Sequence, residues 1–500
     1  MTKWRKGLAA VASLATVVTV LPAANVSAAS AGSGNLTFKG VITMDAGAYT
    51  PSPPPPKGQQ GFGIQYVATK VLAKEFEKLH PGITIQFVTS PSGQSITPWL
   101  LAKADGGQAP DITPQNVLSL SSYPSGIFTN LKPYLQQPDP YLGGKKWSTE
   151  FQPNITAQYV SPDGGQYVVN GDYVGVAMYY NKDVFKKAGI TATPTTWSQM
   201  MTDLAKIKAI GDVPMEWDVA GGYNGEMRNL GWLPRIFYSN FFASQFNQLR
   251  YTKQAQISQE DYVIAIKKGV IGTPNPRWKA MWPIIQTLAK YWQPNVEAND
   301  NNGVAPFQAF LTGNVGIWLD GSYSAPTIIQ QNPSFQWGTF KIPLLTKQTS
   351  KYATNTFYPG LGGPFGGGFN YSVSTPRADS SMTPAKMKAV INWLQFLSTP
   401  AHDSFIVNES AGFVPTVIGA TPLPDMKDLY RQTQASTNFI DGGMDLTQNE
   451  EDAIYRAYQS WIGGQMSLAS FEATCEQQMV AAADQLISQN HWNLSQWGIR

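Results

Sequence analysis

About three quarters of the way along the chain the sequence reads PGLGGPFGGGFNYS, residues 359–372, and six of the nine positions 360–368 are glycine. Glycine-dense loops cradle phosphate groups, so nucleotide binding is the first chemistry to test. The spacing rejects it. A P-loop needs a lysine and a hydroxyl residue directly after its last glycine, and no lysine follows these glycines before Thr375. The dinucleotide pattern needs glycine at its first, third and sixth positions, and the sixth residue is Phe365 counting from Gly360 and Tyr371 counting from Gly366. Metal chemistry is equally unsupported, because His80, His402 and His491 stand far apart with no second ligand at metal spacing. There is no Gly-x-Ser-x-Gly elbow, and the single cysteine, Cys475, has no nearby histidine. A glycosidase needs only two facing carboxylates, which sequence leaves open. No catalytic residue, metal ligand or cofactor is assigned.

The residues the chain does supply in number are aromatic and uncharged polar ones: 15 Trp, 22 Tyr and 23 Phe, with only 14% charged residues. Sugars present apolar C–H faces edged by hydroxyls. They suit Trp and Tyr platforms flanked by Asp, Asn, Gln and Arg. Most of so many rings must nevertheless be core. The sparse charge also predicts that the surface changes little at low pH.

Five hundred residues predict two domains rather than one. Residues 1–28 read as a secretory signal: Lys3, Arg5 and Lys6, an apolar run from Leu8 to Leu21, then Val26-Ser27-Ala28 as a small-x-small cleavage pattern. The chain holds 36 basic and 33 acidic residues. The signal carries three of the basic and no acidic ones, so the remainder balances at zero. That excludes a basic nucleic-acid footprint. Cys475 predicts no disulfide and no lipidation cysteine after the signal, and its place on an apolar helix face makes it a core residue.

Further elements follow from periodicity. Residues 36–44 alternate as a strand, and a proline tract at 51–60 (PSPPPPKGQQ) reads as an extended loop. Ile64, Val67, Ala68, Val71, Leu72, Phe76 and Leu79 give a helical stripe stopped by His80-Pro81-Gly82, and Ile83, Ile85 and Phe87 give the next strand. This strand–helix–strand order begins a doubly wound α/β domain. Residues 167–180 read as consecutive strands with a turn at Asn170-Gly171. Thr196 and Gln199 have capping-box spacing. Residues 222–323 are mostly helical, 315–319 are a strand, and helices follow from Thr383-Pro384 and across 468–486.

The order of these segments resembles the maltose-binding-protein-like family 1 extracellular solute-binding proteins of ABC importers. LAKEFEKLHPGITIQFV is similar to the family's first helix and second strand, and GGQAPDI to its Gly-x-x-Pro-Asp-Ile segment. MYYNKDVFKKAGITATPTTWSQM resembles its Tyr-Asn-Lys-x-x-Phe-x-x-Ala-Gly … Pro-x-Thr-Trp pattern, the most specific match. FLTGNVGIWLDGSYS is similar to Phe-x-x-Gly-x-x-x-Met … Gly-Ser-Trp, with Trp318 and Tyr323 in the Met and Trp places. INWLQFLSTPAHDSFIVNESAGFVPT matches the closing helix pair. The proline tract departs from the pattern.

The resemblance implies an α/β, two-lobed periplasmic-binding-protein-like fold, each lobe a doubly wound sheet flanked by helices, with a ligand cleft between. Residues 35–173 and 369–420 would form the first lobe, 174–368 and 421–500 the second. Hinge crossings would lie near 173–177, near 366–369 and after Pro415. It implies a non-enzymatic, exported, monomeric protein, periplasmic or at the cell surface, that closes on a carbohydrate and delivers it to an ABC permease. A secreted carbohydrate-active enzyme, or the same fold carrying a peptide or other polar solute, stays open. Ligand contacts are expected at Asp45, Gln115, Asp172, Trp217, Trp232, Asp320, Tyr323, Gly367 and Phe369. Tyr323 would stack on a sugar face, Asp320 would accept from hydroxyls, and Trp217 would stand in a loop where similar proteins present an aromatic. The glycines at the second crossing would permit positive φ and close backbone approach.

Overall fold

A computed structural model describes residues 36–52, 66–90, 96–115, 126–161, 163–219, 226–254, 256–294, 296, 304–355, 367–410, 412–424, 427 and 440–499. The signal segment, the proline tract beyond residue 52 and the first part of the glycine run lie outside the described residues.

Eleven strands are described: β1 Gly40–Met44, β2 Ile83–Phe87, β3 Ile112–Pro114, β4 Val169–Asn170, β5 Asp172–Tyr173, β6 Val176–Asn181, β7 Val213–Glu216, β8 Val315–Gly321, β9 Trp337–Phe340, β10 Asn370–Val373 and β11 Val414–Pro415. They form a five-stranded sheet β2-β1-β3-β10-β4, a four-stranded sheet β7-β8-β6-β9, and a two-stranded ribbon β5–β11. The first sheet is parallel across β2-β1-β3 and antiparallel at β10. In the second, β7 and β8 are parallel while β6 runs against both β8 and β9. The sheets are therefore mixed α/β sheets. Their antiparallel members come from the chain crossing between sheets, so these strands enter against the direction of the βαβ units.

Local chemistry explains the helices that flank them. Helix Ala68–Leu79 buries Ala68, Leu72 and Phe76 against the first sheet. Two residues of the expected stripe, Val71 and Leu79, face outward instead. The helix lacks a local side-chain cap. Glu409, far away in sequence, accepts from the Val67 and Ala68 amides at 2.7 and 2.9 Å and places a carboxylate at the positive helix end. Helix Trp197–Ala209 has the expected reciprocal capping box of Thr196 and Gln199. Helix Pro384–Leu397 is capped by Thr383. Phe471, Cys475, Met479 and Leu486 of helix Leu468–Asn490 are buried, so Cys475 is a core residue.

The first core runs from Leu36 to Phe151, continues from Phe369 to Ala420 and includes Val169. A second core gathers Val176 to Ala353 and Ile440 to Leu494. A further apolar cluster joins Ile155, Tyr159, Tyr173 and Val414 to Trp318 and Phe335 of the second unit. Ile155 and Tyr159, inside the stretch expected to belong to the first lobe, thus pack against the second sheet beside the ribbon.

Candidate functional site

Asp45 and Gln115 follow the carboxyl ends of two neighbouring parallel strands, β1 and β3, a usual place for ligands in α/β sheets. The Asp45 amide donates to the Ile112 carbonyl at 3.0 Å and the Gln115 amide to the Asn370 carbonyl at 2.6 Å. Asp45 Oδ1 accepts from the Gly47 amide at 2.9 Å, turning the chain into the short 3-10 turn Gly47–Tyr49. The other oxygen, Asp45 Oδ2, and Gln115 Oε1 are buried acceptors with no hydrogen-bond partner among the described residues. Burial raises the Asp45 carboxyl above the ordinary carboxylate range, against the opposing pull of the Gly47 amide and of the Ser90 amide and hydroxyl.

Asp172 sits in the ribbon, where β5 pairs with β11 through Asp172↔Pro415 and Tyr173↔Val414. It is fully buried. Its Oδ2 accepts from the Tyr49 hydroxyl and from the Gly368 amide at 3.2 Å, and its Oδ1 accepts from the Phe369 amide at 3.0 Å. Asp172 is therefore a clamp on the glycine-rich crossing, not an exposed cleft carboxylate. Phe369 is likewise turned inward, with no exposure and its ring 4.9 Å from Tyr371. Gly368 does not take positive φ. Glycine is required here by close approach instead: a Cβ on Gly367 would lie 2.7 Å from Asn370 Nδ2 and 2.9 Å from the Asp172 carbonyl oxygen. Gly367→Ala is expected to destabilise the protein by about 2 kcal/mol or more, read as a shifted midpoint in urea unfolding. An unchanged midpoint would contradict this packing.

On the second sheet, β8 is buried along its whole length and ends at Asp320-Gly321. Facing it is a π-helical turn, Met227–Trp232, whose following amide, Leu233, donates five residues back to Arg228. Pro234 in the next turn lacks an amide proton and would crowd the carbonyl four residues earlier, so the widened turn relieves it. The turn delivers Arg228 to Asp320 Oδ1 at 2.8 Å and Asp218 Oδ2 at 3.4 Å. Burial opposes the guanidinium charge, but the adjacent Asp320, with Tyr323 and Asp218, holds its pKa above the ordinary value. The same Asp320 Oδ1 accepts from the Tyr323 hydroxyl at 3.0 Å, and Oδ2 accepts from Ser324 Oγ at 2.8 Å. Asp320 is thus engaged by protein donors and positions Arg228 and Tyr323, rather than standing open for hydroxyls as expected.

Tyr323 is half-buried with its ring 6.5 Å from Trp232. Arg228 Nε and Trp232 Nε1 are buried donors with no partner among the described residues. Trp217 does not present an aromatic face. It is buried, stacks on Trp292 at 5.2 Å, and donates from its indole nitrogen to Asn229 Oδ1 at 2.8 Å, which backs the π-turn from behind.

The two walls meet through Gly412-Phe413. Phe413 packs edge-on to Tyr49 at 5.9 Å, and the Gly412 carbonyl accepts from Ser322 Oγ at 2.7 Å. Asp45, Gln115 and the Asp172–Gly367–Phe369 knot are thereby joined to Asp320, Tyr323 and Trp232, while Trp217 stands behind them. Arg228 and Tyr49 were missed by sequence reasoning. A proline six residues after an arginine in an apolar helix was the available hint for the first, and nothing local marked the second. Among the described residues no group of His, Cys, Asp and Glu could hold a metal ion, and no helix is long and apolar enough to cross a membrane.

Two mixed α/β units joined by paired crossings, with aromatic and polar side chains converging at the junction, define a two-lobed ligand-binding protein. The chain belongs to the bacterial extracellular solute-binding protein family, whose sequence model matches residues 63–402. It is 23% identical over 284 residues to the multiple sugar-binding protein of Streptococcus mutans, covering 55% of this chain and 58% of that one. It is 24% identical over 301 residues to the sn-glycerol-3-phosphate-binding periplasmic protein UgpB of Brucella melitensis, covering 58% of each. The chain spans less than two thirds of the length of the curated relatives it matches. The apo form of RafE from Streptococcus pneumoniae shares the fold, with a TM-score of 0.61 at 16% identity over 89% of this chain and 100% of that one. RafE has also been solved with raffinose.

Proposed function

We propose that this protein is a non-enzymatic, exported receptor that captures a carbohydrate between its lobes and hands it to an ABC permease, acting as a monomer. The observation that carries the reading is the set of buried, unpartnered polar atoms at the junction. Asp45 Oδ2 and Gln115 Oε1 offer acceptors from one wall, and Arg228 Nε and Trp232 Nε1 offer donors from the other. Each such atom left unpaired costs about 1–3 kcal/mol. A polyol, whose hydroxyls both donate and accept, supplies partners for both kinds of atom. The tilted Tyr323–Trp232 pair adds an apolar face for C–H groups. Because donors and acceptors belong to different lobes, a ligand joining them favours the closed arrangement. The residue ranges 35–173 with 369–420, and 174–368 with 421–500, are the bodies proposed to move.

A thermal-shift screen against a carbohydrate panel tests this. A sugar at about 100 times its Kd is expected to stabilise by about 2.7 kcal/mol. Tyr323→Ala is expected to weaken the hit by about 1–3 kcal/mol in calorimetry. A panel with no sugar hit and a peptide hit would redirect the cargo, and turnover of an oligosaccharide at enzyme-like rates would replace the receptor reading. The sugar names carried by the Streptococcus mutans and RafE proteins support the choice of panel.

A further inference from the structure

The Arg228 guanidinium is the one cation among the side chains described at the junction, and it is not available as a cation. It is 2% exposed and lies between two carboxylates, Asp320 at 2.8 Å and Asp218 at 3.4 Å. Asp218 is itself 1% exposed and Asp320 2%. One positive charge is thus matched by two negative ones in a place that water does not screen. The backbone reinforces the arrangement: Asn229, the next residue on the π-turn, donates from Nδ2 to the Asp218 carbonyl at 2.7 Å, so Asp218 cannot drift away from Arg228. Glu216, two residues before Asp218, is also buried, and burial together with Asp218 pushes its carboxyl up to about 8. On the opposite wall the titratable group is again acidic, Asp45.

A buried arginine with a free fork is a strong receptor for phosphate or carboxylate. Here each of the fork's two terminal nitrogens already donates to a carboxylate, and Nε has no partner among the described residues. A phosphate brought to this site would meet a surplus of negative charge, and like-charge juxtaposition of this kind costs several kcal/mol. A sugar hydroxyl would meet an Nε donor without that penalty.

We propose that Asp218 and Asp320 set the charge selectivity of the site by sequestering Arg228, so that the arginine serves as a hydrogen-bond donor to uncharged polyols while anionic solutes are rejected. This rests on the carbohydrate reading above and deepens it. It separates the chain from a relative named for binding a phosphate ester, although the two share 24% identity.

The test uses the whole purified protein and three probes: glycerol-3-phosphate, inorganic phosphate and the neutral sugar panel. The wild type is expected to show no phosphate-dependent shift in melting temperature. Asp218→Asn removes one counter-charge and is expected to gain glycerol-3-phosphate affinity by about tenfold or more. Adding Arg228→Gln is expected to abolish that gain, which ties it to the guanidinium. A wild type that binds either phosphate probe overturns the inference, as does a folded Asp218→Asn variant that gains nothing. Should Asp218→Asn not fold, Asp320→Asn replaces it under the same criterion. The sugar panel keeps the two readings apart. A gain in phosphate binding with no sugar response leaves the charge selectivity standing and removes the carbohydrate cargo, and a sugar response without the gain does the reverse.

Discussion

Replacing Asp172 by alanine is expected to lower the unfolding free energy by about 3–5 kcal/mol. Three donors converge on this carboxyl: the Tyr49 hydroxyl and the amides of Gly368 and Phe369. All are buried, and each abandoned donor costs about 1–3 kcal/mol. Burial already raises the Asp172 carboxyl to about 6, while its bonds to Tyr49 and the two amides pull the other way. Asp172→Asn keeps an oxygen for the Phe369 amide and lets the tyrosine hydroxyl accept instead of donate, leaving only the Gly368 amide without its acceptor, so its loss should be smaller, about 1–3 kcal/mol. Urea unfolding of the two variants checks the account. Equal losses for alanine and asparagine would sink the claim that hydrogen-bond satisfaction, rather than shape, holds the crossing. Since Asp172 lies on the ribbon and Gly368 on the return crossing, the alanine variant should also bind its ligand more weakly.

The second large effect concerns pH. Several carboxyls are buried. Burial, aided by Asp139, pushes Glu150 up to about 9 from an ordinary 4.5. Burial with Asp218 pushes Glu216 up to about 8, and burial, against the Thr447 amide, pushes Glu450 up to about 8. In each case the folded state holds a proton that the unfolded state releases. Stability from such a group is fully present below the unfolded pKa of about 4.5 and is lost as pH rises towards the folded pKa. One group obeying this rule lowers stability by about 1.4 kcal/mol per pH unit across that window. The protein should therefore melt higher at pH 5.5 than at pH 7.5, by roughly 5 °C or more.

Glu150→Gln isolates one contribution. The glutamine retains an acceptor for Ser398 Oγ, which bonds Glu150 Oε2 at 2.7 Å, but cannot ionise. At pH 7.5 it should be about 2–4 kcal/mol more stable than the wild type, with the difference vanishing near pH 4.5. A variant whose melting curve tracks the wild type at every pH would refute the assignment. The expectation from sparse charge was that acid would change little. The buried carboxyls sharpen this to a gain in stability on acidification.

Much of the framework was legible because its signals are local. The capping box at Thr196, the cap at Thr383, the stop at His80-Pro81-Gly82 and the apolar face around Cys475 each involve residues within a turn or two. The passage from β9 to β10 through the glycine-rich run was legible too, and at Gly367 the need for glycine is steric closeness to Asp172 and Asn370. The site was harder. A tryptophan stacked in a core and one facing a ligand have the same letter, so Trp217 could not be told from a platform. Phe369 sits at the expected crossing, but only packing against Tyr371 shows that it faces inward. Arg228 acquires its character from Asp218 and Asp320, ten and 92 positions away. Val71 and Leu79 satisfied helical periodicity and still face outward, since periodicity fixes a stripe but not how much of it the neighbouring sheet covers.

The strand order of the first sheet has a consequence in time. β10 lies between β3 and β4, yet its residues, Asn370–Val373, are made after the whole of the second sheet. A growing chain can bring β6, β7, β8 and β9 together while β1, β2 and β3 still wait for their neighbour. At about 5–20 residues per second of synthesis, that wait spans tens of seconds between the making of β3 and β10. The amino-terminal unit, first to be started, thus keeps its β3 edge unpaired through that wait, and the second unit completes its own core later still, with the helices Gln448–Ile462 and Leu468–Asn490.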